Sequence, residues 1–166
     1  DNYLIAMWYY KTIDDEKRNI GPLINAKKKF NYIVKNYPNS DFSFDSKFKL
    51  NFIDDMLASK EMYLGRHYIK KKKWIAALNR FKNVVNDYNQ TVFIEEALHR
   101  LVEVNYKLGL AEESQRYANI LGYNYLSSDW YKKSYIIFNQ SYSEQINKPI
   151  EKDKQGVIDK FKKLFD

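Results

Sequence analysis

The side chains able to do chemistry are few and scattered. His67 and His99 are the two histidines, and they fall in separate predicted helices with no partner pattern beside either. Each reads as a surface or packing residue rather than a base or metal ligand. Asp14-Asp15-Glu16 and Asp54-Asp55 set carboxylates side by side, as a cation site would. Neither has the ligand spacing and turn glycine of a calcium loop, so both read as solvated or helix-start charge. The sequence contains no glycine-rich phosphate loop, nucleophile elbow or metal-spaced Cys/His set. Cysteine is absent, which removes disulfide and thiolate chemistry. Catalysis and cofactor binding therefore find no support, and what remains is binding by charge. Lys70–Lys73 form a basic run. Arg80 lies beside the apolar Phe81, on the flank of a predicted helix, where its planar guanidinium could hold a carboxylate with two bonds. That carboxylate would belong either to a partner or to a neighbouring helix, and an exposed pair of the second kind is worth only ~0–1 kcal/mol.

The elements that must position these charges are helical. Leu64 to Phe81, LGRHYIKKKKWIAALNRF, predicts two helices joined by the basic run as a tight elbow. Small Gly65 and Ala77 let antiparallel helices approach, with Ala77 expected at the crossing opposite Gly65, and Tyr68 and Phe81 fill the space beside them. This alternation fits the 34-residue tetratricopeptide repeat. An internal repeat supports it: Ala26, Phe30, Ile33, Val34, Tyr37 and Ser40 match Ala77, Phe81, Val84, Val85, Tyr88 and Thr91, each pair 51 positions apart. The surplus over 34 lies in Ser40 to Lys71, where Phe44, Phe48, Phe52, Met56 and Tyr63 keep near-helical spacing. That stretch predicts one long helix, or two nearly continuous ones, with Asp41 or Ser43 as N-cap.

The flanking segments extend the array. Tyr3 to Lys11 is apolar on nearly every side, the mark of a buried helix or of one whose cover is missing. Asp14 to Gly21 is charged and irregular, and Pro22 suits the first turn of the next helix. Leu98, Leu101, Val102, Asn105 and Tyr106 predict a helix closed by Gly109. Ser114, Ala118 and Leu121 take the small and apolar positions of its partner, and Asp129 to Phe138 reads as a short closing helix. Ser141 to Gly156 is polar, carries Pro149 and reads as a linker. Val157, Ile158, Phe161, Leu164 and Phe165 then share one face of a short amphipathic helix. Such a helix is marginal alone, so it must dock on its own array, on a partner or on lipid, and Lys160, Lys162 and Lys163 permit an anionic surface.

The expected fold is thus an all-α, tetratricopeptide-like right-handed superhelix over residues 1–140, followed by a linker and tail over 141–166. Its groove should display Met62, Arg66, Ile69 and Lys70 in one repeat and His99, Glu103 and Tyr106 in the next. Scarce glycine (5) and proline (3) agree with helices and short connections. The net charge of +7 permits nucleic acid, anionic lipid or an acidic protein as partner, or reflects a composition rich in Lys, Asn, Ile and Tyr. A nucleic-acid reading of Lys70–Lys73 is weak, because base-reading side chains would have to recur in each repeat and do not. No apolar run is long enough to span a membrane. The absence of cysteine fits either cytoplasm or periplasm. No signal peptide is visible and the chain opens almost inside a helix, as a fragment whose natural start lies upstream would.

Particular pieces carry a resemblance: YPNS at 37–40, SKEMYLGRHYI at 59–69, AALNRFKNVVNDY at 76–88, EEALHRLVEVNYKLGL at 95–110 and LGYNYLSSDWY at 121–131. With the long helix, they resemble the C-terminal repeats of the BamD family, periplasmic outer-membrane lipoproteins of the β-barrel assembly machinery, and its alphaproteobacterial members in particular. The resemblance covers about residues 3 to 138. It implies a non-catalytic adaptor that docks on the POTRA domains of BamA, beside other lipoproteins of the machinery and unfolded outer-membrane proteins. It also implies an N-terminal lipid anchor and substrate-reading repeats, both upstream of this sequence. Arg80 resembles the family's POTRA-contacting arginine. Lys71, Lys70, Arg66, His99 and Tyr106 are the other expected partner contacts, and neither cofactor nor nucleic acid is expected. Similar helix ends occur in the periplasmic coordinator of the Tol–Pal system, which stays as an alternative, with a nucleic-acid-binding helical repeat behind it.

Overall fold

The computed structural model describes residues 2–11 and 20–147, with side chains through residue 139. Among the described residues there are seven helices and no strand: α1 (Asn2–Lys11), α2 (Gly21–Asn36), α3 (Asp41–Lys70), α4 (Trp74–Asp87), α5 (Ile94–Lys107), α6 (Ala111–Asn124) and α7 (Asp129–Asn147). Each packs on its sequence neighbour, and α7 reaches back to α5 as well as α6. This is the expected array of helical hairpins.

The helix ends repeat because the side chains that make them repeat. In α2 and α4, Ala26 and Ala77, Phe30 and Phe81, and Ile33 and Val84 are all buried. Tyr37 and Tyr88 end these helices, their amides donating to the Ile33 and Val84 carbonyls at 2.8 and 3.0 Å. The Ser40 and Thr91 hydroxyls then donate to the Tyr37 and Tyr88 carbonyls at 2.8 and 2.7 Å. A third copy follows 37 positions after the second: Ser114, Ala118 and Leu121 are buried, and the Tyr125 amide donates to the Leu121 carbonyl at 2.8 Å. The elbows repeat too. The Lys73 and Leu110 amides donate to the Tyr68 and Asn105 carbonyls, both at 2.9 Å. Between them Lys72 and Gly109 take left-handed φ values of 56° and 75°.

Between its caps Ser40 and Lys71, the stretch forms one continuous helix, α3. Its N-cap is Ser40, rather than the expected Asp41 or Ser43, and its Oγ accepts from the Ser43 amide at 3.1 Å. The helix serves two cores. Ile53 and Leu57 join Ala6, Leu23, Ala26, Phe30 and Ile33. Ala58 and Met62 join a larger cluster from α4, α5 and α6. The phenylalanine spacing marked the helix but not its buried side: Phe44, Phe48 and Phe52 are exposed, while Ser43 and Ser46 are buried. Small side chains face the neighbouring helices there because that is where close approach is needed.

In α1 only Ala6 is fully buried, and Leu4, Ile5 and Trp8 face outward, as in the second of its two readings, while the Tyr3 hydroxyl ties the helix to Asp45 of α3 at 2.5 Å. Two further expectations change. The closing helix runs to Asn147, well into the stretch read as a linker. The charged connection at 12–19 and the amphipathic tail lie outside the described residues. Gly65 also meets a different neighbour. It lies against the Phe81 ring, although Ala77 is fully buried as expected.

Candidate partner-docking surface

The elbow between α3 and α4 projects four lysines, Lys70 to Lys73, all exposed. It is built by the α3 C-terminus: the Lys71 amide donates to the His67 carbonyl at 3.1 Å, and Lys72 turns the chain. Lys107 Nζ lies 5.3 Å from the centre of the Trp74 ring at the start of α4. This contact sets the end of α5, with exposed Tyr106, beside the elbow. Tyr106 meets Phe138 of α7 edge-on at 6.2 Å. The structure thus brings Lys70, Lys71 and Tyr106 to one edge of the array.

Arg80 lies about two turns into α4, on its flank as expected. Its Nη1 donates to both carboxylate oxygens of Glu61 on α3, at 3.2 and 3.4 Å, and Asn83 Nδ2 donates to Glu61 at 2.9 Å. The Arg80 side chain is 36% exposed and Glu61 16%. This is the local ion pair that the sequence left open, and it holds the guanidinium in place with about a third of its surface in solvent.

Arg66 and His99 belong to an internal network. Arg66 Nη1 donates to both oxygens of Glu96 on α5 at 3.0 Å. Glu96 also accepts from Arg100 Nε at 3.3 Å, and Arg100 Nη1 donates to Glu103 at 2.7 Å. Glu103 lies 3.5 Å from His99 Nε2, whose Nδ1 is 2.8 Å from Ser134 Oγ of α7. Burial pushes the Glu103 carboxyl up, but the hydrogen bonds from His99 and Arg100, with the Arg100 charge, outweigh it and lower it to about 2. The network stitches α3, α5 and α7 together.

His99 is therefore not a groove residue. It is buried under α7, its ring 5.2 Å from that of Trp130, and is corrected from partner contact to packing residue. Met62 is likewise fully buried in the larger core rather than displayed. The helical period grouped Met62 with Arg66 and His99 with Tyr106, but it could not say that Met62 would join the core or that α7 would cross His99. Glu61, Glu96, Arg100, Trp130 and Ser134 were missed. For Glu96, Arg100 and Glu103 a signal existed, since their spacing of four and three sets them along one side of α5. Among the described residues no group of His, Cys, Asp and Glu side chains could hold a metal, and no helix is long and apolar enough to cross a membrane.

The chain matches the family model for YfiO, described as outer membrane lipoprotein, over residues 2–121. It is similar to proteins called outer membrane protein assembly factor BamD. The identity is 41% over 133 residues with that of Rickettsia prowazekii, covering 80% of this chain and 53% of the relative. It is 37% over 139 residues with that of Caulobacter vibrioides, covering 84% and 46%. With that of Haemophilus influenzae it is 32% over 98 residues, covering 59% and 37%. The chain spans about half the length of the first two relatives. The family match runs from α1 into α6, and the chain belongs to the YfiO/BamD family of outer membrane lipoproteins.

Proposed function

We propose that this chain is the scaffold-docking half of a non-catalytic adaptor in outer-membrane protein assembly. It acts at the periplasmic face of the outer membrane, held there by a lipid anchor upstream of this sequence. Its partner is the POTRA domains of BamA, which it grips while unfolded outer-membrane proteins are folded and inserted. The observation that carries this reading is the 41% identity to a BamD assembly factor over 80% of this chain. The exposed lysines of the elbow, the neighbouring Tyr106 and the partly exposed Arg80 supply a basic surface suited to an acidic partner face. Steering by such a surface is weakened by salt.

The test is capture from detergent-solubilised outer membranes with the tagged chain as bait, followed by titration against isolated POTRA domains. BamA should be the dominant captured protein, and binding should weaken as salt rises. Dominant recovery of Pal would support a Tol–Pal coordinator instead, and recovery of RNA a nucleic-acid role. Either would overturn the proposal.

A further inference from the structure

Among the described residues no helix follows α7. Helices α1, α3 and α5 each lie against the helix that follows them, whereas α7 is described against α5 and α6, the helices before it. The 37-residue spacing carries on into α7 and locates the uncovered side. Ala97 of α5 corresponds to Ser134 of α7, and both are fully buried. Leu98 corresponds to Tyr135, and here the two part: Leu98 is 1% exposed and Tyr135 57%. The side of α7 turned to the preceding repeat is thus packed, while a position that is core in α5 faces outward. Beside it runs an apolar groove of about 470 Å³, walled by Ala118, Gly122 and Tyr123 of α6 and by Tyr131, Tyr135 and Phe138 of α7.

We propose that residues 155–165 are the partner helix of α7 and seat in this groove. The occupant is identified by its pattern. In α4, Ala77, Leu78, Phe81, Val84 and Val85 occupy i, i+1, i+4, i+7 and i+8, and all are buried or half-buried against the core. Val157, Ile158, Phe161, Leu164 and Phe165 have the same intervals. Phe161 takes the place held by Phe30 in α2 and Phe81 in α4, and Lys160 and Lys162 take those of Arg80 and Lys82. The first place departs, with Val157 where the other helices have Ala26, Ala77 and Ser114. The connection suffices: residues 148–154 span up to roughly 23 Å, and packed helices lie about 8–10 Å apart. A short helix with five large apolar side chains gains its stability from such a seat rather than from itself.

Because the chain has no cysteine, introduced thiols report on this contact alone. In the full chain, Tyr135→Cys with Phe161→Cys, treated with a short bismaleimide, should give a cross-linked monomer. Trp8→Cys with Phe161→Cys, which pairs the tail with the far end of the array, should give none. A cross-linked dimer from the 135/161 pair would assign the groove to a second copy and overturn the proposal, as would the absence of any cross-link. Phe161→Asp supplies a readout free of linker geometry. Amide exchange in α7 should quicken about tenfold while exchange in α2 is unchanged, and unaltered exchange in α7 would overturn the proposal as well.

Discussion

Gly65 lies so close beneath the ring of Phe81 that a Cβ at position 65 would stand 2.5 Å from Phe81 Cε1. Both residues are fully buried or nearly so, at the crossing of α3 and α4. A glycine inside a helix costs ~1 kcal/mol relative to alanine, and here that cost is offset by the packing of an aromatic ring. Gly65→Ala should recover the propensity but overpack the crossing, which costs about 1–3 kcal/mol. The expected net result is a lower melting midpoint. Gly65→Ala with Phe81→Leu should cost less than the sum of the single changes, because the smaller side chain vacates the contested space. Strict additivity in a double-mutant cycle would show that the two residues do not share the contact.

The two elbows make a second prediction. Lys72 and Gly109 occupy the same place in successive repeats, both with positive φ, and only one is a glycine. Left-handed backbone is strained for a side chain with a Cβ. Lys72→Gly should therefore stabilise by about 0.5–1 kcal/mol, and Gly109→Ala should destabilise by a similar amount. A Cβ at Gly109 would meet no atom within 4 Å, so its penalty is purely one of backbone conformation. Urea midpoints should shift in opposite directions with unchanged slopes. A Lys72→Gly protein that melts earlier would place the value of Lys72 in its side chain.

The array was legible because its helices end on repeated side chains. Ser40 and Thr91 close the turns after α2 and α4 by hydroxyl bonds to the Tyr37 and Tyr88 carbonyls, which depend on residue type and spacing alone. Which face each helix buries was less legible. Phe44, Phe48 and Phe52 have the size of core residues but face outward, while Ser43 and Ser46 are buried where helices crowd together. The burial of His99 and the ion pair of Arg66 were hidden for a related reason. Their partners, Ser134 and Glu96, lie 35 and 30 positions away, and the packing of whole helices brings them into reach. Lys70 and Lys71 were simpler to place, because an elbow between helices is exposed by construction.

The internal network predicts a pH dependence. Glu103 is lowered to about 2 from its ordinary 4.5. A carboxyl depressed on folding contributes stability that is fully present above the unfolded value and lost as pH falls towards the folded one. Solvent screening at the partly exposed carboxyl holds the contribution to about 2 kcal/mol. Wild type should therefore exceed Glu103→Gln in stability at pH 6, and the gap should close between about pH 5 and pH 2. Denaturant melts of both proteins across that range measure it. A gap that stays constant with pH would assign the loss to packing rather than to charge.

Arg80 offers the sharpest separation between an internal and an external role. Its pair with Glu61 is partly exposed, and pairs of that kind are worth ~0–1 kcal/mol. Arg80→Ala should therefore leave the melting midpoint nearly unchanged, since Asn83 still donates to Glu61. Under the proposed docking on POTRA domains, the same change should weaken binding by about 2 kcal/mol or more, as loss of a charged interface group does. Weak binding alone does not say whether Arg80 touches the partner or merely braces α3 against α4. Exchanging the charges answers that. Glu61→Arg with Arg80→Glu restores an ion pair between the helices, so stability should stay near that of the wild type. If Arg80 meets a carboxylate on the partner, the exchanged protein presents a like charge there and binding remains weak. If Arg80 acts only as a brace, binding returns. Titration of the exchanged protein against isolated POTRA domains should show persistent weakness, and recovery of wild-type affinity would remove Arg80 from the interface.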